Sequence, residues 1–124
     1  MKIKITLLIT KVVKDLPISD PRRIQMYLDD DMQLSQGYMS TKNEKDTVDD
    51  IISKYLHVEP DWLNRNVSGF RKLDNSTAEV VYTIMMPEIL GAEKSGGFFS
   101  YKELERLDKQ IDEYYEQLLS RRPL

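Results

Sequence analysis

A single change of hydrophobic period, at Asn43, most constrains how this chain can fold. Ahead of it the pattern is extended. "MKIKITLLIT" alternates through Ile3, Ile5 and Leu7 and continues in Leu8 and Ile9, which predicts a strand over 2–9 running on irregularly through Val12 and Val13. "DLPISDPRR" holds two prolines and predicts a loop. "RIQMYL" puts Ile24, Met26 and Leu28 on one side of a second strand, closed by "DDD" at 29–31, and a third extended segment is expected from Met32 to Leu34. Beyond Asn43 the period becomes helical: Val48, Ile51, Ile52, Tyr55 and Leu56 fall on one face, Asn43 with Asp46 resembles a reciprocal N-cap, and Pro60 requires the helix to stop before it.

"DWLNRNVSGF" is irregular at first. "FRKLDNSTAEVVYTIMM" then predicts a hairpin turning at 74–76, with a strand from Val80 to Met86 ended by Pro87. "GAEKSGG" reads as a linker or surface loop. Ser100 with Glu103 is a second capping pattern, opening a final helix whose stripe runs from Leu104 to Leu119. The order ββ(β)αββα concentrates strands in the first two thirds. This favours an α+β fold, a small mixed-sheet sandwich with a central and a C-terminal helix, over a doubly wound sheet.

With 124 residues the chain suits one domain, 1–124. Its 40% apolar and 31% charged content is that of a globular protein, and a net charge of −3 gives no general attraction to nucleic acid. "DDIISKYLHVEPDW" lacks the second amphipathic helix of a helix-turn-helix, so neither DNA nor RNA is expected as partner. Having no cysteine excludes disulfides, thiolate catalysis and cysteine zinc sites. No apolar run approaches a membrane span and the start lacks a cleavage site, so the expected location is cytoplasmic, with no membrane partner.

On the helix, Asp49, Asp50, Ser53 and His57 lie within roughly 60° of Asp46, opposite the apolar stripe. Together with Glu44, these acids could in principle touch one divalent ion; acids there are more ordinarily the solvent face, favoured near the N-terminus by the helix dipole. Arg22 and Arg23 in "DPRR" and the pair in "SRRP" are candidate anion ligands, and Gly37 is a candidate for close approach of a ligand. The "SGGFF" glycines lack the spacing of a phosphate loop. Trp62, Tyr114 and Tyr115 are candidates for a partner or homodimer surface.

The element order, Gly37 before the helix, and the closing "GGFFSYKELERL" resemble the Nudix hydrolase fold along nearly the whole chain. That family's signature is G-x5-E-x7-R-E-U-x-E-E-x-G-U, with U a bulky aliphatic residue. Its glutamates hold magnesium or manganese for hydrolysis of nucleoside diphosphate derivatives. Counting from Gly37, the first glutamate falls on Asn43. The R-E-U-x-E-E run falls on Ile51, Ile52, Ser53, Lys54, Tyr55 and Leu56, and the second glycine is absent. No catalytic residue and no cofactor is therefore assigned. The resemblance implies a non-catalytic, Nudix-like domain acting in protein interaction or nucleotide sensing. Alternatives are a magnesium- or manganese-dependent hydrolase with its site relocated to Glu44, Asp46, Asp49 and Asp50, and an unrelated α+β scaffold protein.

Overall fold

The computed structural model describes residues 2–39, 43–87 and 91–100. The chain runs β1 (Lys2–Val12), β2 (Ile24–Leu28), β3 (Ser35–Tyr38), α1 (Glu44–Tyr55), a 3₁₀ turn (Pro60–Trp62), β4 (Arg65–Lys72), β5 (Thr77–Met86) and β6 (Gly97–Ser100). The C-terminal helix expected after Ser100 lies outside the described residues, as do Tyr114, Tyr115 and the "SRRP" arginines.

The strands form one mixed sheet in the order β4-β5-β1-β2-β6, with β3 also paired to β1. β1 is the central strand. It runs parallel to β5 from Lys2↔Thr77 to Lys11↔Met86, while on its other edge β3 pairs antiparallel with Lys4 to Leu7 and β2 with Thr10 to Val12. A strand covered on both faces needs no polar side, which accounts for the unbroken run "TLLI" after the initial alternation. Ile5, Leu7 and Ile9 enter a cluster with Val48, Ile51, Ile52 and Leu56 of α1. On the opposite face, Leu8 meets Met26, Leu28, Leu34 and Val81, and Ile24 packs alongside. The predicted alternation of β2 is thus observed, with fully buried Tyr27 turned to the α1 side.

α1 begins as its sequence requires. Asn43 stays extended and its Oδ1 accepts from the Asp46 amide at 2.8 Å, a cap of a kind that contributes about 1 kcal/mol. Burying Val48, Ile51, Ile52 and Leu56 contributes more, roughly 2 kcal/mol per side chain.

Three expectations are corrected. The third strand is Ser35–Tyr38, not 32–34. Asp29 uses Oδ1 to accept from the amides of Asp31 and Gln33, and the tight turn this forms holds Met32 at φ 59°, which a strand cannot accommodate. "GAEKSGG" is a surface loop, as one of its two readings had it, and no free linker: Gly91 and Lys94 to Gly96 are exposed, but Ala92 is buried, its carbonyl accepts from His57 N–H, and Lys94 N–H donates to the Tyr55 carbonyl. Ser100 closes a sixth strand paired antiparallel with β2. Two smaller differences follow from long-range pairing: β1 stays regular to Val12, and the hairpin strands start earlier, at Arg65 and Thr77.

Gly96 makes the turn into β6. It sits at φ +72°, donates its amide to Asp30 Oδ1 at 2.8 Å, and would place a Cβ only 2.2 Å from the Leu28 carbonyl oxygen. Tyr27 closes the same corner by donating its hydroxyl to the Ser95 carbonyl at 2.6 Å. Among the described residues, no helix is long and apolar enough to cross a membrane.

Candidate functional site

α1 lies across the sheet between β3 and β4, and its acids are divided between those two sides. Glu44 accepts a hydrogen bond from the Tyr82 hydroxyl of β5. Burial, followed by that bond and the Glu44 charge, pushes the Tyr82 phenol far above its ordinary value. Asp46 is exposed at the first turn. Asp49 faces β4: Arg65 Nη2 is 2.7 Å from its Oδ1, and Lys45 Nζ is 2.8 Å from its Oδ2. The Arg65 contact is one of charge without good hydrogen-bond direction, since Asp49 Oδ1 and Arg65 Nη1 are both left without a hydrogen-bond partner. Asp50 turns the other way, into a cleft of about 290 Å³ between α1 and β3 that is also lined by Gln36, Gly37, Tyr38, Ile51 and Lys54.

The four acids therefore do not form a cage. Among the described residues no three His, Asp or Glu side chains converge on a point where a cation could sit. The positions aligned with the Nudix glutamates fare no better: Ile52 and Leu56 are fully buried in the core under α1, and Tyr55 packs its ring 5.9 Å from that of Tyr27. At the positions counted from Gly37 the chain offers hydrocarbon and a phenol, which do not fit a divalent ion that takes carboxylate oxygens.

Burial pushes the Asp49 carboxyl up, but the Lys45 bond and the adjacent Arg65 charge outweigh it and hold the group below the usual range. A lowered carboxyl adds stability that is present above its unfolded pKa, near 4, and is lost as pH falls through the folded value. The pair is partly exposed, so its worth after solvent screening is less than about 1 kcal/mol. Asp49→Asn is expected to lower stability at pH 7 by that amount and to leave it unchanged near pH 2, as read by urea unfolding across the acid range.

Gly37, expected to admit a ligand, lines the cleft between α1 and β3 and also lies close under α1, where an added Cβ would meet Ile51 Cδ1 at 3.0 Å. Arg22 folds back on Asp20 in a two-pronged pair, with Nη2 at 2.8 Å and Nε at 3.1 Å. Arg23 points elsewhere. Its Nη1 donates to the Leu16 carbonyl at 2.7 Å, and it lines a second, larger cleft of about 700 Å³ together with Lys14, Trp62, Asn64, Met85 and Met86. Two residues singled out separately, Arg23 and Trp62, are thus brought to one place. Lys14 and the two methionines gave no separate signal in the sequence, and only the parallel pairing of β1 with β5 reveals them.

By sequence the chain matches no family model and no curated protein. By structure it is similar to the C-terminal domain of mouse MUTYH, solved in complex with human PCNA, with a TM-score of 0.68 over 99% of this chain and 90% of that one at 9% identity. It is also similar to the NUDIX domain of Shewanella oneidensis NrtR, solved with ADP ribose, with a TM-score of 0.62 at 12% identity over 94% of this chain and 87% of that one. A MutT/nudix family protein from Enterococcus faecalis gives 0.56 at 12% identity, over 80% of this chain and 43% of that one. The chain has a Nudix-like α+β fold. At these identities the likeness concerns the fold.

Proposed function

We propose that this chain is a Nudix-fold domain that acts by binding and does not hydrolyse. One observation carries the reading: Ile52, Tyr55 and Leu56, which the count from Gly37 sets at the glutamate positions of the Nudix signature, supply no carboxylate, and two of them are fully buried. Without the ion, nothing at α1 can neutralise a diphosphate or activate water. The cleft beside Gly37 adds one cation, Lys54, set against Asp50. That balance favours a protein partner over a nucleotide at α1. Among similar folds there is precedent for both, since the MUTYH domain was solved with PCNA and the NrtR domain with ADP ribose.

The purified chain, incubated with magnesium and a panel of nucleoside diphosphate derivatives including ADP ribose, is expected to release no monophosphate or phosphate above the blank. Turnover that Asp49→Ala and Asp50→Ala both abolish would replace this reading with that of a hydrolase using a relocated acidic site.

A further inference from the structure

We propose that the cleft at the carboxyl ends of β1 and β5 docks an acidic segment of a partner protein carrying one apolar anchor; this rests on the reading that the domain acts by binding. The parallel register brings Lys11 opposite Met86, so Lys14, just beyond β1, arrives beside Met85 and Met86. Arg23 is held over the same end of β1 by the bond from Val13 N–H to its carbonyl at 2.7 Å, and the segment after α1 adds Trp62 and Asn64.

Charge selects the occupant. The chain carries −3 overall, yet the described residues that line this cleft include Arg23 and no acid. Arg22, Arg65 and Arg71 each hold a carboxylate, from Asp20, Asp49 and Glu79 respectively. Arg23 has none among the described residues; its bond to Leu16 orients the guanidinium while leaving most of its donors for an incoming anion.

Apolar surface selects the anchor. Trp62 is 77% exposed and Met85 41% exposed beside it. Tryptophan, arginine and methionine are the residues enriched where proteins bind proteins, and methionine adapts its shape to the side chain it meets. The described lining residues include no glycine and no Ser or Thr hydroxyl from which a phosphate cradle is commonly built. A peptide carboxylate, needing only the planar fork of Arg23, fits better.

Trp62 is the only tryptophan of the chain, so its emission reports on this cleft directly. A phage-displayed random dodecapeptide library is panned on the full chain, and selected tryptophan-free peptides are synthesised with a fluorescent label. The expected peptides are rich in Asp and Glu around one Leu, Ile or Phe, and they shift the Trp62 emission to saturation. By anisotropy, Arg23→Gln and Trp62→Ala each weaken binding about tenfold while circular dichroism stays unchanged. Failure to select peptides, selection of peptides without acids, or affinities that neither variant alters would overturn the proposal. ADP is titrated in parallel. If it alone shifts the emission, the cleft belongs to a nucleotide-like anion and the peptide inference falls, while the non-hydrolytic reading stands. Phosphate released from that ADP would instead overturn the non-hydrolytic reading.

Discussion

Ile52→Glu is expected to unfold the domain instead of restoring a metal ligand. Ile52 is fully buried and packs in the cluster that joins α1 to Ile5, Leu7 and Ile9. A carboxylate placed there has no cation beside it: Lys45 is committed to Asp49 and Asp61, and Arg65 lies against Asp49. Burying an unpaired charge costs several kcal/mol, and losing the isoleucine packing adds about 3 more, against a total stability of roughly 5–15 for a domain. Leu56→Glu is expected to behave in the same way, because Leu56 is buried in the same cluster. Tyr55→Glu is expected to be milder, since Tyr55 is only half-buried. Circular dichroism and thermal unfolding of the three variants check the ranking. A folded Ile52→Glu protein that binds magnesium would mean that the core under α1 still accommodates the hydrolytic site.

The second large effect is expected at Gly96. An added Cβ would overlap the Leu28 carbonyl oxygen and approach Asp29 Cα at 2.9 Å, in a backbone conformation that side-chain-bearing residues rarely adopt. Both obstacles are backbone, so relief requires separating the turn from the end of β2. Gly96→Ala is expected to cost about 3 kcal/mol, on the order of 10 °C in Tm, by loosening β6 from β2. Gly91, also at positive φ but with open space around its missing Cβ, is the control, and Gly91→Ala is expected to cost about 1 kcal/mol. Equal effects at the two glycines would refute the steric account.

The contrast between those glycines shows what could be read from the sequence and what could not. Period switching and the Asn43 cap located the start of α1, because both signals are local; its end, expected before Pro60, comes at Tyr55, so Leu56 and His57 lie beyond the helix. The face of β2 carrying Ile24, Met26 and Leu28 was equally legible. β3 was misplaced by three residues because the chemistry that decides its start, the Asp29 carboxylate gathering two later amides, competes locally with a short apolar run at 32–34. β6 was missed because "GFFS" has too few residues to show a period and becomes a strand only by pairing with β2, about seventy residues earlier.

The site divides in the same way. Counting from Gly37 sets Ile52, Tyr55 and Leu56 at the glutamate positions of the signature, but the burial of Ile52 and Leu56 required the fold. Helical geometry set the acids of α1 on one side of the helix, but among the described residues they do not converge on one point. Their separation toward β3 and β4 depends on Arg65, whose position follows from the β4–β5 pairing. Arg23 and Trp62 are 39 positions apart and share no local pattern. They meet because the crossover between parallel β1 and β5 returns the chain to the same end of the sheet.

On the binding reading proposed here, α1 holds no divalent ion, either at Ile52, Tyr55 and Leu56 or among the neighbouring acids. The most direct measurement is a manganese titration of isotopically labelled protein, followed by paramagnetic broadening of the amide signals. The account predicts weak, diffuse broadening over the acidic surface, without saturation and with no maximum on α1. Saturable broadening centred on residues 44–50, displaced by magnesium, would contradict it and place a divalent ion among Glu44, Asp46, Asp49 and Asp50.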